Sequence, residues 1–190
     1  MTYAPLDPKT VVVLFADLQA GIVELAATND AGRLRRAVSA LAKLARLFDM
    51  PVIVTTAPSE GGARVLPEIA AALGELPQHE RTTTDAFTHP RTRDAIVKTG
   101  RKTLLVAGVA TEIIVLHSAL SAAAQGFDVH VVVDACGGLS ARTEDAALRR
   151  LTHSGVVTTS IASIAGQLAG DFTTPVGGQA LGVLYEMASR

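Results

Sequence analysis

Leu104-Leu105-Val106-Ala107-Gly108-Val109-Ala110-Thr111-Glu112 begins a strand–helix–strand pattern that continues to Gln125 and, past Gly126, into Val129–Val133. Leu104 to Gly108 is an apolar run of strand length. Thr111 is placed to cap a helix from Glu112 to Gln125, and Gly126 fits its C-terminal stop. Val129–Val133 reads as the next strand, ended by Asp134. Strands that are apolar throughout, rather than alternating, are buried on both faces. That is the signature of a parallel sheet covered by helices.

The same pattern extends in both directions. Upstream, Val11–Ala16 is a strand followed by Asp17-Leu18-Gln19, and Asp30 can cap a helix in which Leu34, Val38, Leu41, Ala45 and Phe48 recur at helical spacing. Pro51 opens a strand at Val52–Thr56, residues 58–64 form a loop, and Leu66–Leu73 is a short helix. Residues 78–90 are polar and irregular apart from Phe87, and lead into a helix ending near Gly100. Downstream, Ser140 and Gly155 bracket a helix, and Val156–Thr159 is the last strand. The expected fold is α/β: a doubly wound, mostly parallel six-stranded sheet between helical layers, with strand order 3-2-1-4-5-6. One domain spans 1–178. A helical extension at 179–190 carries Leu181, Leu184 and Met187, which can pack on their own domain or dock on a second copy in a homo-oligomer.

Composition narrows the function classes. The chain has 190 residues, 48% hydrophobic and 18% charged, without tryptophan. Such a chain can bury a core and is too apolar for disorder. Seventeen Lys+Arg against eighteen Asp+Glu leave a net charge of −1, so no concentrated basic face for nucleic acid is expected. The apolar runs are far shorter than a membrane span, and no secretory signal is visible; a cytoplasmic protein is expected. Cys136 is the single cysteine, and His79, His89, His117, His130 and His153 show no metal-ligand spacing. Neither G-x-G-x-x-G nor G-x-x-x-x-G-K-[ST] follows the first strand. No metal or cofactor is expected.

In open parallel sheets ligands bind beyond the carboxyl ends of the strands. That rule selects Asp17 and Gln19 after the first strand, the Gly108–Thr111 turn and Asp134. Backbone N–H groups at such a turn can receive a carbonyl or oxyanion. Asp17 follows six apolar residues, where burial would shift its pKa. Asp134, before Ala-Cys-Gly-Gly, reads better as a turn former, and His117 as a histidine hydrogen-bonded between helices.

Three segments together resemble the isochorismatase-like hydrolase superfamily: Val11–Gln19, residues 80–87 (Glu-Arg-Thr-Thr-Thr-Asp-Ala-Phe), and Leu104–Val133 with Asp134-Ala135. The resemblance runs from about Asp7 to about Ser163. It implies that Asp17 is the family's catalytic Asp, that Arg81 stands where the family has its lysine, and that Ile114 stands at the nucleophilic cysteine. Gln19, Phe87, Val109, Ala110, Thr111 and Ile114 are then the residues around a small-molecule substrate. Ile114 has no lone pair and cannot form an acyl-enzyme. Arg81 stays charged, so it can orient Asp17 or bind an anion but is a poor proton donor, and it should lower the Asp17 pKa. Three readings stay open: hydrolysis by cysteine-independent acid/base chemistry at Asp17, a non-catalytic binder of a small molecule or partner, and an amidohydrolase whose cysteine has been replaced by Ile114. Under the first, Asp17→Asn should abolish turnover and leave thermal stability nearly intact.

Overall fold

A computed structural model describes residues 5–189. Its six strands are β1 Val11–Ala16, β2 Val52–Thr56, β3 Gln78–Glu80, β4 Thr103–Val109, β5 Asp128–Gly137 and β6 Val157–Thr159. They form one sheet in the order β3-β2-β1-β4-β5-β6, parallel at every pairing. Seven α-helices among the described residues flank it: α1 Ala31–Leu47, α2 Pro67–Leu73, α3 Pro90–Lys98, α4 Leu116–Ala124, α5 Ala141–His153, α6 Ile161–Ala169 and α7 Pro175–Ala188. This is the doubly wound architecture expected from the apolar runs.

Strand alternation divides the core into two layers. Val11, Val13 and Phe15 of β1 face a layer built with α1, α2, α6 and α7. Val12, Leu14 and Ala16 face the layer of α3, α4 and α5. All six residues of β1 are fully buried, as a central parallel strand requires. In α1, Leu34, Val38, Leu41 and Ala45 form the buried stripe, and Asp30 caps the helix through the Arg33 N–H at 2.9 Å. Each large aliphatic side chain so buried contributes about 1.5–3 kcal/mol.

Four local expectations are corrected. Residues 78–80, read as irregular, pair with β2 as the edge strand β3; the backbone supplies the pairing, so the polar side chains of Gln-His-Glu left no apolar signal. Thr111 does not cap the following helix. It lies inside a wide helical turn, Thr111–Val115, in which the Val115 N–H reaches the Ala110 carbonyl at 3.4 Å, and its hydroxyl donates to Glu144 at 2.7 Å. β5 does not stop at Asp134 but runs to Gly137, passing through a bulge where five residues of β5 advance against two of β4. Finally, the C-terminal helix starts at Pro175 rather than Gln179. Ala180 is fully buried, and Leu181, Leu184 and Met187 pack against the chain's own core.

Candidate functional site

The strand order reverses direction between β1 and β4, and a pocket of about 310 Å³ lies at the carboxyl ends of these strands. Such a crevice is where doubly wound sheets hold ligands. Asp17 and Arg81 carry its charge. Ile22, Leu25, Pro58, Val109, Ala110, Ile113, Ile114 and Leu139 give it apolar walls, and residues 82–84 contribute three threonines. Three larger clefts open elsewhere among the described residues, one beside α5 and β6, one against α1 and α7 and one between α2 and the β2–β3 edge; none is lined by Asp17 or Arg81.

Asp17 follows β1 directly, with φ of 55° in the left-handed region. Aspartate enters that region more readily than most residues, although still at a cost on the order of 1–3 kcal/mol. The turn is held by the Asp17 N–H donating to the Thr55 carbonyl at 3.1 Å, while the Thr55 hydroxyl donates to Asp17 Oδ1, also at 3.1 Å. Arg81 arrives from the far side of β2: it follows β3, and its N–H donates to the Thr56 carbonyl at 3.0 Å. Its Nη2 then donates to Asp17 Oδ2 in an ion pair whose side chains are only 4% and 9% exposed. The Arg81 Nε is buried and has no acceptor among the described residues. An unmet buried donor costs about 1–3 kcal/mol.

Burial raises the Asp17 pKa above the ordinary carboxylate value, and the Arg81 charge and the Thr55 hydroxyl oppose this without cancelling it. The expectation that Arg81 would hold the carboxyl below its usual range is therefore corrected. Removing the carboxylate from water outweighs one end-on contact with a guanidinium.

The other residues singled out in the sequence divide into two groups. Val109, Ala110 and Ile114 line the pocket, and the Val109–Ala110 peptide is cis. Gln19, Phe87 and Thr111 do not line it. Gln19 is fully buried and its amide clamps Ala57, donating to the carbonyl at 2.9 Å and accepting the N–H at 2.8 Å, which positions the pocket wall at Ala57 and Pro58. Phe87 packs edge-on against Phe127 with ring centroids 5.6 Å apart. Thr111 ties the turn to α5 through Glu144. Asp134 accepts the Ile161 N–H at 3.0 and 3.1 Å and so braces the start of α6. His117 does not line the pocket. Cys136 is 1% exposed in the core, its thiol pKa pushed up to about 12 by burial; it does not line the pocket either.

Several supporting residues carried no sequence signal strong enough to name them. Asp85 accepts the Phe87 N–H at 2.8 Å and the Ser121 hydroxyl at 2.6 Å, while the Ser118 hydroxyl accepts the Ala86 N–H at 2.9 Å. These bonds pin the 82–88 segment to α4. Glu112 accepts the Leu139 N–H at 2.9 Å and the Thr143 hydroxyl at 2.6 Å, holding the loop that puts Leu139 at the pocket. Thr55 was the most legible of them, a polar residue near the end of an apolar strand placed beside β1.

Fold and site together define an α/β protein with a ligand pocket at the topological switch point, floored by a buried Asp–Arg pair. Comparison with known proteins narrows this class. The family model for the isochorismatase domain matches residues 11–163. The probable hydrolase YcaC of Escherichia coli is 34% identical over 180 residues, covering 94% of this chain and 86% of that protein. The crystal structure of the E. coli YcaC gene product, described as an octameric hydrolase of unknown specificity, superposes with a TM-score of 0.90 at 32% identity over 98% of this chain and 92% of its own. YcaC from Pseudomonas aeruginosa, with hexane-2,5-diol and covalent acrylamide, gives 0.90 at 33% identity over 99% and 96%. The chain belongs to the isochorismatase family.

Proposed function

We propose that this protein hydrolyses a small molecule by acid/base chemistry centred on Asp17, without a covalent intermediate. The observation that carries the reading is the buried Asp17 at the pocket floor, facing a wall in which Ile114 offers no nucleophile and no thiol is present. A carboxylate made more basic by burial can take a proton from a water as its oxygen adds to the substrate. It can then return that proton to the leaving group, so the carboxylate is regenerated and one water is consumed. The Ile113 and Val115 N–H groups bond the Ala110 carbonyl, and the N–H groups ahead of them in the same turn are the donors that this reading assigns to a developing oxyanion. Arg81 keeps Asp17 oriented throughout.

The test is turnover of a panel of amides, ureides and vinyl ethers by the parent and by Asp17→Asn, with intact-mass measurement during turnover. Turnover lost in the variant, with no mass added to the parent at any time, is the expected result. Unchanged kcat in Asp17→Asn, or a covalent adduct in the parent, would overturn it.

We also propose that the chain forms a homo-oligomer. The E. coli YcaC structure is described as octameric, and support in this chain comes from apolar side chains left at the surface beside and on α7: Phe172 is 65% exposed and Tyr185 70%. Leu181, Leu184 and Met187, for which the sequence leaves own-domain packing and docking on a second copy both open, pack against the chain's own core.

A further inference from the structure

A charge that enters an apolar cavity must find a counter-charge there, because the water it gives up is worth more than any contact a hydrocarbon wall returns. The pocket at the carboxyl ends of β1 and β4 has two charged groups among its lining residues, Asp17 and Arg81. They are already spent on each other. Arg81 Nη2 donates to Asp17 Oδ2, the Thr55 hydroxyl donates to Oδ1, and Arg81 Nε is enclosed by the protein. The two side chains, 4% and 9% exposed, therefore give the pocket a floor that sums to zero charge. An anion drawn to Arg81 would lie beside the Asp17 carboxylate, and a cation drawn to Asp17 would lie beside the guanidinium. The walls add no charge to this balance. Ile22, Leu25, Pro58, Ile113, Ile114 and Leu139 are apolar, and of the three threonines at 82–84 the Thr83 hydroxyl already donates to the Asp85 carbonyl at 2.8 Å.

We propose that the pocket selects a compact, uncharged carbonyl compound with an aliphatic body and turns away carboxylates and ammonium ions of the same shape. The carbonyl stands at Asp17, and the hydrocarbon body lies against Ile113, Ile114 and Leu139. Such a ligand loses little on leaving water and gains apolar burial along its length. A sugar or a phosphate ester would leave hydroxyls or charge unpaired against the same walls. The pocket volume, about 310 Å³, is at the small end of the ligand-pocket range and fits a compact molecule. Leu25 and Leu139, 54% and 46% exposed, carry the apolar surface out to the mouth, so the body of the ligand can reach beyond Ile114.

The proposal rests on the site of the proposed hydrolysis and names its substrate class as neutral amides and esters; its test reads binding, so the two can fail separately. Titration calorimetry of the purified chain at neutral pH compares heptan-2-one, hexanoate and hexylammonium, three heads on closely matched bodies. The ketone has a carbonyl and no leaving group, so it stays intact whatever the protein hydrolyses. It is expected to saturate one site per chain and to bind roughly tenfold or more tightly than either ion, about 1.4 kcal/mol. Butan-2-one, which lacks three of its methylenes, should bind roughly tenfold or more weakly than heptan-2-one, because the walls reward apolar surface. Either ion binding as tightly as heptan-2-one, no saturable ketone binding, or equal affinity for the two ketones would overturn the proposal, even in a protein that hydrolyses charged amides. The expected order in a protein that hydrolyses nothing would sustain the proposal and defeat the hydrolase reading. Ile113→Lys and Leu139→Lys each add a cation to the pocket wall, at positions 38% and 46% exposed, so hexanoate should gain on heptan-2-one by roughly tenfold. The parent's order of heads in both folded variants would place the ligand outside this pocket and overturn the assignment. The series on the parent stands whether or not either variant folds.

Discussion

Asp17 and Arg81 are each other's charge partners in a place that water hardly reaches, and this changes what substitution there should do. Asp17→Asn was expected from the sequence to leave stability nearly intact. The buried pair makes that untenable: without the carboxylate Arg81 is an uncompensated buried cation, which costs about 3–5 kcal/mol. Chemical denaturation of Asp17→Asn should show that loss. A midpoint equal to the parent's would mean that Arg81 finds another partner. Asp134 behaves differently. Burial raises its pKa, with the Ile161 N–H opposing, so its folded-state value lies above its unfolded one. A carboxyl raised in this way contributes stability below the unfolded pKa of about 3.9, and that contribution is lost as pH rises through the folded pKa. Asp134→Asn should therefore flatten the fall of Tm from about pH 4 upward. An identical Tm–pH slope in parent and variant would remove Asp134 as its source. At Cys136, burial and a pKa of about 12 predict no carbamidomethylation by iodoacetamide in the native protein and full reaction after denaturation, read by intact mass. Rapid native labelling would reopen the case for a thiol in the chemistry.

At the scale of elements, the pocket exists because β1 and β4 approach closely at their carboxyl ends. Gly108 pairs with Ala16, and a Cβ built at position 108 would stand 2.3 Å from the Ala16 carbonyl oxygen, inside contact distance with rigid backbone. Glycine is needed here for space between strands and not for an unusual φ. Gly108→Ala must push β1 and β4 apart at the position next to Asp17 and should cost about 1–3 kcal/mol, more if the sheet cannot yield. A thermal shift assay would show it, and unchanged Tm would mean that the strands separate freely. The bulge in β5 and the wide turn at Thr111–Val115 work at the same scale: they carry β5 past Asp134 and aim Ile113 and Ile114 at the pocket. Neither breaks the apolar periodicity, which explains why Asp134 was read as a strand end and Thr111 as a cap.

For the whole molecule the open question of surface is association. Its helices cover both faces of the sheet, and among the described residues none is long and apolar enough to cross a membrane. Of the large exposed hydrophobic side chains, Leu25, Ile113 and Leu139 line the pocket, while Phe172, Val176 and Tyr185, the group proposed for association, lie beside or on α7. Light scattering at micromolar concentration should give a mass well above a single chain's 19.7 kDa, and Phe172→Asp with Tyr185→Asp should reduce it. A monomer mass for the parent would overturn the homo-oligomer.

The layered parallel fold was legible because a strand buried on both faces must be apolar along its length, and β1 and β4 are; the strand order followed from the usual winding of that class. Asp17 was legible for a related reason, as a charge directly after such a run. Val109 and Ala110 were legible as part of the turn beyond a strand's carboxyl end, whereas Arg81 and Ile114 came from resemblance to a known family, and all four reach the pocket with Asp17. Other features depended on contacts between residues distant in the chain. The edge strand β3 is held by backbone pairing that any side chains permit. Gln19, Phe87 and Thr111 sit near the site in sequence, but hydrogen bonds to Ala57, packing on Phe127 and a bond to Glu144 turn them away from the pocket. The Asp17 pKa was misjudged in sign because the sequence names the charged neighbour, whereas the amount of water removed depends on how the strands, the 82–88 segment and α4 close around the pair. Local pattern determined which segments became strands and helices; three-dimensional packing decided which polar groups kept their solvent and which had to find a partner.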